Sequence, residues 1–115
     1  NNYMKKYVIN FTNSFVNRSQ IKKTKIRICV VGLTYKYGVS DIRNSQKIEI
    51  FEYFKKKFKN TKCFDPFLKH KYNLKHNELK KYNFFLFLSK GEKFKFIANL
   101  IDKKKIIDPF LYYSS

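Results

Sequence analysis

Four short strand-like runs constrain this chain more than any other feature. They fall at residues 26–31, 61–64, 84–88 and 105–107. Each stops at a turn-forming or polar residue: Gly32, Asp65-Pro66, Ser89-Lys90-Gly91 and Asp108-Pro109. Ile26, Ile28, Val30 and Val31 give the first run the β-branched composition of a strand covered on both faces. Helical periods lie between the runs. Residues 45–59 carry an apolar stripe at Ile48, Phe51, Phe54 and Phe58, with Asn44 or Ser45 as N-cap. A short helix is expected over 76–82, and another over 92–101 with Phe94, Ile97, Ala98 and Ile101 on one face. Upstream, Met4, Tyr7, Val8, Phe11, Phe15 and Val16 recur at spacings of three and four, which predicts a helix within residues 1–20. The alternation predicts an α/β fold: a Rossmann-like, three-layer parallel sheet with helices on both faces, preceded by an N-terminal helix.

In such a sheet, ligands collect outside the carboxyl ends of the strands. The run ends then place Gly32–Arg43, Asp65-Pro66-Phe67, Ser89-Lys90 and Asp108-Pro109 along one edge. The loop 32–44 is the most charged of these connections, with Lys36, Asp41 and Arg43. A dinucleotide-binding turn would read G-x-G-x-x-G, and this loop offers only Gly32 and Gly38. Lys36 offers a compact charge for a phosphate or sugar oxygen, and Arg43 a planar fork for a phosphate that Asp41 could orient. The same spacing also fits a structural Asp41–Arg43 ion pair beside a solvated Lys36.

The bulk numbers bound the rest. A length of 115 residues suits one domain with one modest core, and 43% hydrophobic residues suit a folded chain. The formal net charge of +18 invites an anionic partner. It is also what an AT-rich coding sequence gives any protein, since Lys, Asn, Ile, Phe and Tyr are all in excess and Trp is absent. The lysines are spread along the chain and the aromatic residues sit at core spacing, which argues against a nucleic-acid surface. Cys29 and Cys63 fall in expected strands without metal-ligand spacing, so each reads as a buried thiol in a reducing cytoplasm, and no metal site is expected. No run of 18 apolar residues marks a membrane span.

The long first loop resembles the C-terminal domain of the UDP-glucose/GDP-mannose dehydrogenase family. That family carries G-[LF]-[AST]-[FY]-K-x-x-[TVC]-x-D-x-R-x-S between a strand and a helix. Here the positions are Gly32-Leu33-Thr34-Tyr35-Lys36, then Val39, Asp41, Arg43 and Ser45. Phe64-Asp65-Pro66 is similar to the family's [YHF]-D-P, and Ile106-Ile107-Asp108 to its [IV]-[IV]-D. Asn1-Asn2-Tyr3-Met4 resembles the N-D-x-M from which a middle-domain helix leads into the last domain. After Ser89 the family often has His-x-x-Phe, whereas this chain reads Lys90-Gly91-Glu92-Lys93-Phe94, so no function is carried to Lys90.

The resemblance implies a division of the chain into residues 1–24, the end of the middle-domain helix and a linker, and 25–115, the nucleotide-sugar-binding domain. It implies an NAD-dependent oxidation of a UDP-sugar C6 alcohol to a carboxylate, for polysaccharide precursor synthesis in the cytoplasm. Tyr35 and Lys36 would contact the UDP-sugar, Arg43 the NAD phosphates, and Asp41 would orient Arg43. No catalytic residue is expected here, because the nucleophilic cysteine belongs to N-terminal and middle domains that would be the partners of this one. The chain then reads as a fragment, inactive alone, of an enzyme that is commonly a homo-oligomer. The form "DIRNS" at residues 41–45 is most like members acting on UDP-N-acetylhexosamines. Two alternatives stand beside this: a free-standing, non-catalytic nucleotide-binding remnant, and a small basic nucleic-acid-binding protein.

Overall fold

The computed structural model describes residues 3–33, 42–65 and 75–113, without the side chains of residues 42–45 and 76. Helix α1 runs Tyr3–Arg18, strand β1 Ile28–Val31, helix α2 Ile42–Lys57 and strand β2 Lys62–Phe64. Strand β3 follows at Phe84–Phe87, helix α3 at Glu92–Leu100 and strand β4 at Ile106–Ile107. Short 3-10 turns at Lys23–Lys25, His76–Lys81 and Lys103–Lys105 lead into β1, β3 and β4.

All pairings are parallel, and the sheet order is β2-β1-β3-β4. Ile28 faces Phe84 across the central pair, and Val30 faces both Cys63 and Leu86. All four residues of β1 and all four of β3 are buried, as a sheet covered on both faces requires. Their period of two divides the core into layers. Ile28, Val30, Phe84 and Leu86 join Val8 and Val16 of α1 and Ile50, Phe54 and Phe58 around α2 in one cluster. Cys29, Val31, Phe85 and Phe87 join Phe94, Ile97 and Ala98 of α3, with Leu79 and Tyr82, in the other. This is the expected α/β architecture, with α1 lying beside α2 on one face.

Three expectations shift. Helix α2 starts at Ile42, not near residue 45, so Asn44 and Ser45 lie inside it and the N-cap position falls outside the described residues. Its buried residues are Gln46, Lys47, Ile50, Phe51 and Phe54, continued by Phe58 just past its end, while Ile48 is 47% exposed. In α1, the innermost residues are Val8, Thr12 and Val16, and Tyr7 stays 43% exposed with its hydroxyl donating to the Pro109 carbonyl at 2.7 Å. Cys29 and Cys63 are buried free thiols, as expected. Among the described residues, no helix is long and apolar enough to cross a membrane.

Candidate functional site at the strand ends

The chain leaves β1 toward β2 by way of α2, then returns to the other side of β1 to form β3. The carboxyl ends of β1 and β3 therefore flank the point where the winding reverses, the usual ligand crevice of an open parallel sheet. Gly32 and Leu33 stand at the β1 tip and Ser89 just beyond β3.

Backbone and buried polar groups fix this edge. The Gly32 amide donates to the Phe64 carbonyl at 3.0 Å, extending the ladder past β2. The next amide, Leu33, donates to Asp65 Oδ2 at 2.9 Å, and Asp65 is 0% exposed. A buried carboxylate needs such donors, and a charge-assisted hydrogen bond to a backbone amide is among the stronger kinds. Asp108 does similar work at the β4 end: Oδ1 accepts from the Tyr112 amide at 3.0 Å and Oδ2 from the Tyr113 amide at 2.7 Å. Both Asp-Pro pairs read from the sequence thus supply an aspartate that ties down backbone at a strand end.

Ser89 is the hub. Its hydroxyl donates to the Gly32 carbonyl at 3.0 Å and accepts from Lys47 Nζ at 3.1 Å. Its own carbonyl accepts the Tyr113 hydroxyl. Burial, followed by the nearby Asp108 and Tyr112, raises the Tyr113 phenol well above its ordinary range, so it stays a donor. Gly32 makes the close approach possible. It holds φ at +90°, and a Cβ there would lie 2.7 Å from both Cβ and Oγ of Ser89. Lys90 is exposed beyond this hub, with its ammonium 5.9 Å from the centre of the Tyr112 ring.

Of the side chains expected to bind ligand, Tyr35, Lys36 and Asp41 lie outside the described residues. Arg43 is placed by backbone in the first turn of α2, with its side chain outside the description. The described ends of that connection, Leu33 and Ile42, both belong to the carboxyl edge. Sequence reasoning missed Lys47, Ser89 as a hub, and the pinning of Leu33 by Asp65. Lys47 had a signal: it occupies the position completing the 47-50-51-54-58 stripe, so a polar residue there is inward-facing.

A pocket of about 720 Å³ lies elsewhere, lined by Asn77, Leu79, Phe85, Leu100 and Asp102 among others. Most of these residues precede β3 or β4, away from the carboxyl ends. Among the described residues, no group of three or more His, Cys, Asp and Glu side chains is placed to hold a metal ion. Gly32 is committed to its contact with Ser89, not open for a pyrophosphate, so the described residues do not fit a nicotinamide dinucleotide cradle.

A doubly wound parallel sheet with a buried polar clasp at its switch point defines an α/β ligand-binding domain. The UDP-binding domain of the UDP-glucose/GDP-mannose dehydrogenase family matches residues 29–113, from the second residue of β1 to the end of the described chain. The chain belongs to that family. No curated protein and no solved structure gives a significant match.

Proposed function

We propose that this chain is the substrate-binding C-terminal domain of an NAD-dependent UDP-sugar 6-dehydrogenase, and that its β1–α2 connection grips the nucleotide sugar. The supporting observation is where that connection begins and ends: at the switch point of the sheet, in a chain whose family domain binds UDP. Tyr35 and Lys36 contact the UDP-sugar. Arg43 reaches the NAD phosphates from a helix whose first turn holds no acidic residue, a setting that favours an anion. Asp41 orients Arg43. When bound, NAD accepts the hydride, and its main seat lies in domains outside this chain. Residues 1–24 are the end of a middle-domain helix and a linker, and α1 packs on the domain it leads into. The enzyme acts in the cytoplasm as a homo-oligomer, and the "DIRNS" segment favours a UDP-N-acetylhexosamine as substrate.

Calorimetry with UDP tests the reading. The chain binds UDP, and Lys36→Ala weakens binding by about 1.5–3 kcal/mol, the range of one hydrogen bond to a charged group. A well-folded chain with no heat of UDP binding would overturn it. In the full enzyme, Arg43→Ala raises the NAD requirement more than the sugar requirement; the reverse order would reassign Arg43 to the substrate.

A further inference from the structure

A parallel sheet brings every strand entry to one edge, so cations scattered along the sequence meet there. The Lys23–Lys25 turn and Arg27 precede β1, and Lys59 and Lys62 lead into β2. Lys80 and Lys81 close the turn before β3, and the turn before β4 is Lys103–Lys105. The register aligns these entries. The Arg27 amide donates to Asn83 Oδ1 at 2.7 Å, Lys62 pairs with Cys29, and Lys105 stands just before the Phe85–Ile106 pair. Lys23, Lys25, Lys80, Lys81, Lys103 and Lys104 are exposed, and none of them forms an ion pair among the described residues. The acidic residues of these connections are Glu78, which is half-buried, and Asp102, whose Oδ1 accepts the Lys104 amide at 3.0 Å. At the carboxyl edge the described residues show the opposite balance, Lys90 against Asp65 and Asp108.

The other side chains at this edge decide what anion it fits. Ile21, next to Lys22 in the chain before β1, is 36% exposed, and Leu100 at the end of α3 is 55% exposed. Leu100 lines the pocket of about 720 Å³ together with Lys80 and Lys105, over Leu79 and Phe85, which are buried. The aromatic residues of the strand entries, Phe58 and Tyr82, are also buried, so these connections offer no ring on which a nucleic-acid base could stack. Lysines set around exposed aliphatic side chains fit an anionic lipid surface, where headgroup attraction and apolar burial act together. We propose that the amino edge of the sheet docks on a membrane rich in anionic lipid, with its lysine turns on the headgroups and Ile21, Leu100 and the pocket at the acyl boundary. The contact is peripheral, since among the described residues no helix is long and apolar enough to cross a bilayer. It leaves the carboxyl edge, and with it the ligand crevice, facing away from the lipid. The inference goes beyond the nucleotide-sugar reading and stands without it.

Vesicle co-sedimentation of the full chain tests it, with vesicles of equal parts phosphatidylserine and phosphatidylcholine and with vesicles of phosphatidylcholine alone. The chain pellets with the mixed vesicles and stays in solution with phosphatidylcholine. Combining Lys80→Gln, Lys103→Gln and Lys104→Gln weakens binding about a hundredfold, at roughly fivefold for each lysine near the surface. Combining Lys6→Gln, Lys90→Gln and Lys95→Gln removes the same charge from exposed positions away from the strand entries, and weakens binding less than about fivefold. Leu100→Gln weakens it about fivefold, through lost apolar burial. All these side chains are exposed, so the fold is spared. Equal losses in the two triple variants would reduce the binding to bulk charge and overturn the docking edge. So would unaltered binding by Leu100→Gln, or equal binding to phosphatidylcholine alone. Tighter binding to single-stranded polyuridylate than to the mixed vesicles, at equal phosphate, would give the edge to nucleic acid and overturn the membrane assignment.

Discussion

Gly32 shows how much one backbone position decides. Its φ of +90° is disfavoured for any residue with a Cβ, and the space a Cβ would need is held by Ser89, with Phe94 Cε1 at 3.2 Å. Gly32→Ala therefore combines backbone strain with overpacking and destabilises by about 3 kcal/mol. Urea unfolding measures this directly; a loss below about 1 kcal/mol would mean the two tips are free to move apart. Thr12 is the opposite case. It is 0% exposed on the inner face of α1, and its hydroxyl has no hydrogen-bond partner among the described residues. Thr12→Val keeps the shape and removes the unsatisfied group, so it stabilises by about 1 kcal/mol. The same urea measurement checks the sign, and a destabilised variant would show that the hydroxyl finds a partner.

At the scale of the element, the rotation of α2 about its axis is the feature with most consequence. Phe54 is fully buried and Ile48 is 47% exposed, although both belong to the stripe expected from apolar spacing. Phe54→Ala should cost about 3–5 kcal/mol and Ile48→Ala under about 0.5 kcal/mol. Comparable losses in thermal unfolding would mean the helix is turned differently. The difference also shows what the sequence could reveal. β1 and β3 were legible because each is a nearly unbroken apolar run that a two-faced sheet demands, and β2 and β4 because each ends at an Asp-Pro pair. Counting apolar residues alone placed Ile48 inside and passed over Lys47. Ile50, Phe51, Phe54 and Phe58 set the helix phase together, and that phase brings position 47 inward whatever residue stands there. Thr12 was passed over for the same reason. The turns at Lys23–Lys25 and Lys103–Lys105 carry no apolar pattern that could announce them. The edge that bears the site was legible from run endings, whereas its polar connections join residues as distant as Gly32 and Ser89, which only the folded sheet brings together.

At the scale of the whole molecule, four acidic hydrogens are held in place by burial. Burial chiefly, with Asp65 next, pushes the Cys63 thiol up to about 11. Burial chiefly, with Cys63 next, raises Cys29 well above its ordinary 9.0. Tyr82 rises to about 12, mainly through burial, and Tyr113 also moves upward. In each case the unfolded chain gives up its proton at lower pH than the folded one. Stability is therefore fully present below about pH 9 and is lost as pH climbs through about 11. The thermal midpoint should fall between pH 9 and 11, and Cys63→Ala should flatten the decline; equal slopes would remove the thiol from the account. The strand order has a consequence of another kind. The middle of the sheet is the pair β1 and β3, whose partners Ile28 and Phe84 stand far apart along the chain. During synthesis, β1 must wait with one flank bare until β3 emerges from the ribosome, and such long-range closure is slow. The apolar residues 28–31 are then the stretch most in need of chaperone cover in a nascent chain.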